Sequence, residues 1–375
     1  MKYKKSILAL CAVLLLSLFA GCSNGGGTGS SAAGSDVAGK NVSVGDNTAS
    51  STTRPDVSGK TISVVATIFP AYDWTRQIIG QADDHAALTL LLDKGTDLHN
   101  YLPTVEDIYK ISTCDLFIYV GGESDKWVPD ALAQATNPNM KVLCLMDLLG
   151  SAVREEEALE GMEEHDHDHD HDHEDEDHDH EDHDHEDEDH DEGPEYDEHI
   201  WLSLRNASLL CEKIEAALEE VDPQSKDSYA KNCKAYTEKL TALDKAYAEA
   251  VEAAPRKTLL FADRFPFLYM AKDYDLQCWA AFSGCSAEAE ASFETVNFLV
   301  NKVDELGLPC VMKIEGSNAR LAETVVSSSQ AKNAKILEIN SLQSVTAQQV
   351  AEGFTYYGVM EQNLEVLKQA LGDGK

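Results

Sequence analysis

Short apolar runs rich in β-branched residues recur along the chain, and each is followed by a stretch whose apolar positions repeat every three or four residues. The first run, TISVVATIF at 61–69, ends at Pro70 and leads into the helical stretch AYDWTRQIIG, closed by Gly80. ALTLLL (87–92), CDLFIYV (114–120) and KVLCL (141–145) read as further strands. Their apolar character is continuous rather than alternating, which marks strands covered on both faces of a parallel sheet. Pro103 opens a helix over 104–112, with Thr104 and Asp107 spaced as a capping box.

The rhythm returns after Pro255, with strands TLLFA (258–262), LQCWAAF (276–282), CVMKI (310–314) and KILEI (335–339). Helices are expected from Phe267, over 293–306, from Asn318, and over about 353–371. Between the halves a helix runs from about Trp201 to Val221, Asp222-Pro223 interrupts, and a second helical stretch continues to Ala254. At ~1.5 Å per residue that second helix is about 45 Å long, more than a single crossover needs. The expected fold is therefore α/β: two lobes with parallel-type sheets flanked by helices, joined by a long rigid helix. The expected divisions are an N-terminal lobe over 59–222, a linking helix over 223–254 and a C-terminal lobe over 255–375.

One segment breaks the pattern. Residues 163–192 contain only Asp, Glu and His: twenty carboxylates and ten imidazoles. With no apolar side chain the segment cannot offset the entropy of ordering its backbone, so a disordered acidic, His-rich insertion is expected over 155–198. Imidazole suits borderline metals such as zinc, and the carboxylates raise the local cation concentration. His165, His167, His169, His171, His173, His178, His180, His183, His185 and His190 thus form an accessory metal-collecting tract, holding ten of the chain's thirteen histidines. The alternative is a merely solvating acidic run. The formal net charge of −37 falls to about −17 without the tract's acids, which disfavours nucleic acid and anionic lipid headgroups and favours cations as partners.

The chain opens with Lys2, Lys4 and Lys5 before an apolar run, Ile7 to Ala20, the pattern of a signal peptide over 1–21. Phe19-Ala20-Gly21-Cys22 resembles the lipobox of bacterial lipoproteins, in which the cysteine is acylated; Cys22 is then a lipid anchor and 22–58 a flexible, Gly- and Ser-rich spacer. The remaining cysteines, Cys114, Cys144, Cys211, Cys233, Cys278, Cys285 and Cys310, show no metal-binding spacing and read as structural.

In open α/β sheets ligands bind beyond the carboxyl ends of the strands. Four potential metal ligands fall at such places: His99 in DKGTDLHNYLP, His199 in DEHIWLSLRNA, Asp263 after TLLFA and Glu315 after CVMKI. His85 has no such support and reads as a surface residue. At these loops the sequence resembles the metal-specific solute-binding lipoproteins of zinc and manganese ABC transporters, from about Ile62 to Leu371. Asp97-Leu98-His99-Asn100-Tyr101 is similar to the family's first ligand loop, and Asp197-Glu198-His199-Ile200-Trp201-Leu202 to its second. Glu315 with Asn318 resembles its fourth, and Tyr357, Met360 and Asn363 its terminal helix. A His-rich insertion before the second ligand is a feature of zinc members. One position departs: the family carries a His or Glu ligand three residues before Phe267, where this chain has Arg264, a guanidinium that cannot ligate a cation. The third ligand is then Asp263, a water or a histidine of the tract; the alternative is that Arg264 pairs with a carboxylate and the site has lost high-affinity metal binding.

The resemblance implies a lipid-anchored receptor on the extracytoplasmic face of a bacterial membrane, performing no bond-making chemistry. It would capture Zn2+, with Mn2+ less favoured by the imidazoles, and hand it to an ABC-transporter permease. The rival reading is a surface metal buffer or adhesin in which the tract is the main binder. No HExxH, GxSxG or P-loop supports an enzyme.

Overall fold

In the computed structural model, residues 61–80, 85–163, 195–286, 290–330 and 332–372 are described. The expected signal peptide, Cys22, the expected spacer and all ten histidines of the tract lie outside them. Each half of the chain builds a four-stranded parallel sheet. The first contains β1 (Ile62–Ala66), β2 (Ala86–Leu90), β3 (Leu116–Tyr119) and β4 (Lys141–Cys144), in the order β2-β1-β3-β4. The second contains β5 (Thr258–Phe265), β6 (Gln277–Ser283), β7 (Cys310–Ile314) and β8 (Lys335–Ile339), in the order β6-β5-β7-β8. The two orders are the same permutation, so each sheet reverses its winding beside its first strand.

Strand periodicity explains how the second sheet is covered. Leu259 and Phe261 join the main core, whereas Leu260 and Ala262 point to a separate cluster with Leu299, Val303 and Val325. Those last three belong to helices Phe293–Leu306 and Arg320–Ser328. Successive side chains on a strand face opposite ways, so one uninterrupted apolar run supplies two cores.

The main core spans both halves. Helix Lys226–Ala253 buries Tyr229, Cys233, Tyr236, Leu240, Leu243, Tyr247 and Ala250, a spacing of four and three that keeps one seam inward for the full length. At its far end Tyr247 Oη donates to the carbonyl of Met360 (2.6 Å), within helix Tyr356–Leu371. That terminal helix is tied back to the first half. The fully buried Asp73 accepts from the Tyr356 backbone N–H (2.8 Å) and from the Arg76 side chain, and Tyr356 Oη donates to the Trp201 carbonyl (2.6 Å).

The helix over 104–112 is realised as Val105–Thr113, with the reciprocal Thr104–Asp107 capping box formed. Residues 155–163 and 195–198, at the two ends of the expected insertion over 155–198, are among those described. Its flanks are built: Glu155 and Tyr196 form an antiparallel bridge, with Glu156 N donating to Glu195 O and Asp197 N to Arg154 O, both at 2.9 Å. Tyr269 pins this neck to the second half, its hydroxyl donating to Asp197 O (2.8 Å) and accepting from Arg154 N (3.0 Å). Composition misjudged these residues because their hydrogen bonds are to backbone, which sequence polarity does not report. Among the described residues no helix is long and apolar enough to cross a membrane.

Candidate metal centre

The carboxyl ends of the two sheets bring their loops together. His99 sits in the short helical turn Leu98–Asn100 that follows β2, where the Asp97 carboxylate accepts from the His99 backbone N–H (3.1 Å). His199 precedes the turn Ile200–Leu202, and Asp197 plays the same local part, accepting from its N–H at 2.8 Å. Both motifs read Asp-x-His, and in both the Asp side chain folds back on the histidine two residues ahead.

The two imidazoles, one hundred positions apart, meet with Nε2 atoms 3.2 Å from each other. Their outer nitrogens are each held by an oxygen. His199 Nδ1 lies 2.9 Å from Asp197 Oδ1, and His99 Nδ1 lies 2.8 Å from Ser124 Oγ and 3.5 Å from Glu198 Oε2. An Nδ1–H committed to an acceptor fixes the tautomer whose Nε2 carries the ligating lone pair. Two such lone pairs aimed at each other repel unless a proton or a cation lies between them. His199 is fully buried, and the Gln343 amide packs on the pair, its Nε2 2.6 Å from His199 Nε2 and 3.3 Å from His99 Nε2.

The electrostatics agree with one shared positive charge. Burial, reinforced by repulsion from His199, pushes the His99 imidazole down to about 3. Burial also opposes a charge on His199, yet Asp197, Glu198 and Asp97 together raise it above the ordinary range. Glu198 is itself raised by burial, while its Oε1 accepts from Ser124 N at 2.8 Å. Gly122 makes room for that carboxylate: a Cβ there would stand 2.4 Å from Glu198 Oε1, and its φ of +84° suits glycine.

The other two expected ligands are placed elsewhere. β5 runs beyond TLLFA to Phe265, and its pairing register with β6 shifts between Phe261 and Arg264. Such a bulge re-aims side chains. Asp263 Oδ2 accepts from Ile314 N (3.1 Å) and from Ser317 Oγ, and its Oδ1 accepts from Arg264 N (2.9 Å). Glu315 braces the loop after β8, accepting from Ser341 Oγ (2.7 Å) and Ser341 N (2.6 Å), and burial raises its carboxyl. Arg264 crosses to the first half, where Nη2 meets Asp97 Oδ2 at 2.8 Å.

Two residues at this site were not anticipated. Gln343 follows β8, and Cys285 follows β6; the rule that pointed to β5 and β7 applies equally to both strands. Among the described residues, one donor atom from each of His99, His199 and Cys285 lies within 4.8 Å of the other two. Gly284 permits the approach, since a Cβ there would come within 2.9 Å of His199 Cε1. Burial pushes the Cys285 thiol up, with Glu156, Asp197 and Glu198 adding to the shift.

Two α/β lobes meeting through the carboxyl ends of their strands, with buried imidazoles facing each other between them, define a two-lobed binding protein that encloses a small ligand. Residues 64–370 match the family model described as zinc-uptake complex component A, periplasmic (ZnuA), and the chain belongs to that family. It is 33% identical over 306 residues to the zinc-binding lipoprotein AdcA of Streptococcus pneumoniae, covering 82% of this chain and 55% of that protein. Over 308 residues it is 30% identical to the high-affinity zinc uptake system protein ZnuA of Bacillus subtilis, covering 82% and 87%. The chain thus spans about half the length of the AdcA relatives it matches. The crystal structure of the Zn(II)-bound ZnuA-like domain of Streptococcus pneumoniae AdcA superposes with a TM-score of 0.61 at 29% identity, covering 83% of this chain and 99% of that one.

Proposed function

We propose that this chain is the extracytoplasmic, lipid-anchored receptor of an ABC importer, capturing Zn2+ between His99 and His199 and handing it to a membrane permease. The observation that carries this reading is the pair of Nε2 atoms 3.2 Å apart, each ring locked from behind by an oxygen on Nδ1. Two imidazoles bound to one tetrahedral zinc at about 2.0–2.1 Å place their nitrogens about 3.3 Å apart, so the rings stand close to ligating geometry. Imidazole donors favour zinc over the harder Mn2+. The names of the relatives point to the same ion. In this reading the chain is a binding protein and not an enzyme, Cys22 carries the lipid, and the ten tract histidines collect ions for the cleft as a tethered weak site does.

Isothermal titration of zinc into the intact chain and into a chain lacking residues 164–194 tests the proposal. A receptor loses several weak ions on deletion and keeps one tight site, which His99→Ala then abolishes. A surface buffer or adhesin, with the tract as its main binder, would lose the tight site with the deletion.

A further inference from the structure

We propose that the Cys285 thiolate is the third metal donor of this centre, so that the cargo site is a His99–His199–Cys285 set selective for thiophilic divalent ions. This rests on the reading of His99 and His199 as the metal pair and adds the donor that completes it.

A tight zinc site needs at least three protein donors. Arg264 offers none, and its guanidinium is engaged by Asp97. Asp263 is committed to Ile314 N and Ser317 Oγ, and Glu315 to Ser341. Asp97 Oδ1 lies 4.0 Å from His99 Nε2, yet it accepts the His99 backbone N–H, and its other oxygen holds Arg264. Asp197 stands behind His199, on Nδ1. Cys285 remains, on the loop after β6, with a donor atom within 4.8 Å of one on each histidine.

The distances suit a thiolate. With Zn–N about 2.0–2.1 Å and Zn–S about 2.3 Å, a tetrahedral ion separates N from S by about 3.6 Å, a separation within the 4.8 Å that bounds the three donor atoms here. The loop is held for this: Gly284 lies against His199, and Cys285 N donates to Glu156 Oε1 at 3.4 Å. Gln343 supplies the fourth position. A half-turn of its amide presents Oε1 to the rings and turns the NH2 toward Ser341 Oγ, 2.9 Å from the present Oε1, which can accept because its own proton is given to Glu315. On binding, the S–H bond breaks, the S–metal bond forms and the proton passes to solvent. A site with two imidazoles and one thiolate favours Zn2+ and Co2+ and discriminates against Mn2+, Mg2+ and Ca2+.

Cobalt titration of the full chain under reducing conditions tests this, because thiolate-to-cobalt charge transfer in the near ultraviolet reports sulfur ligation and the tract contains no thiol. The expected result is a band that saturates at one cobalt per chain, is absent in Cys285→Ser and His199→Ala, and is accompanied in Cys285→Ser by at least the ~10-fold affinity loss that removing even an outer partner costs. In the unaltered chain, Zn2+ but not Mn2+ should protect Cys285 from iodoacetamide, located by mass spectrometry; this arm needs no variant to fold. Tight cobalt binding with no charge-transfer band and no protection would overturn the thiolate assignment while leaving the histidine pair standing. Absence of any tight site sensitive to His199→Ala would overturn both.

Discussion

Replacing Arg264 with Gln should tighten zinc binding, even though it removes an ion pair that joins the two halves of the molecule. The guanidinium Nη2 lies 2.8 Å from Asp97 Oδ2, and Asp97 Oδ1 lies 4.0 Å from His99 Nε2. Adding the span of the carboxylate puts the arginine charge within roughly 9 Å of a cation bound at the rings. Repulsion between that charge and a divalent ion is then about 1 kcal/mol at the dielectric of water and about 4 kcal/mol at an effective value near 20. At 1.4 kcal/mol per decade, removing it tightens binding by about five-fold to about five-hundred-fold. The lost ion pair acts in the same direction. Without Arg264 the metal-free protein holds an uncompensated Asp97, whereas the bound cation neutralises it, so the free state loses more than the bound state. Competition against a chelating dye at low and high salt is the assay. The gain should shrink as salt rises, because part of the interaction is screened. Unchanged or weaker affinity in a folded Arg264→Gln protein would refute the electrostatic reasoning.

Asp197→Asn keeps the shape but weakens the acceptor behind His199 Nδ1; zinc affinity should fall 10- to 100-fold by dye competition, with His199 still in place. For the metal-free protein, the stability contributed by the two histidines together should be greatest near pH 6.5. His99, depressed to about 3 from the ordinary 6.5, favours folding above 6.5, and that contribution is lost as pH falls towards 3; His199, raised, favours folding below 6.5, and that contribution is lost as pH climbs through its folded value. Urea midpoints against pH should show both limbs, and His99→Gln should flatten the acid one; an unaltered acid limb would contradict the assignment. Tyr356→Phe removes the hydroxyl that donates to the buried Trp201 carbonyl and should cost about 1–3 kcal/mol in urea unfolding, without displacing the imidazoles.

The strand and helix rhythm was legible because each element answers to a local period. Cys310–Ile314, Lys335–Ile339 and helix Phe293–Leu306 coincide with their apolar runs residue for residue. The two histidines were legible because a histidine in a loop beyond a strand's carboxyl end stands out. What the sequence hid is geometric. The register of β5 shifts across Asp263, whose carboxylate accepts from Ile314 N and Ser317 Oγ, which no residue pattern announces. Glu315 follows β7 as a ligand would, but the serine at 341 takes its oxygens, and that pairing spans 26 positions. Gln343 and Cys285 carry no charge to attract notice; their place beside the rings depends on how two sheets face each other, a relation of tertiary structure alone.

The neck at Glu155 and Tyr196 has a consequence for how this protein can vary. Its backbone rungs and the Tyr269 hydroxyl fix the distance between the two ends of the acidic insertion, whatever runs between them. For a chain closed at both ends, doubling its length costs only about 0.6 kcal/mol in closure entropy. Duplication or loss of Asp-His steps therefore leaves the remainder of the molecule almost indifferent. In the proposed reading, the number of histidines between these fixed ends can therefore change without altering the neck or the paired rings.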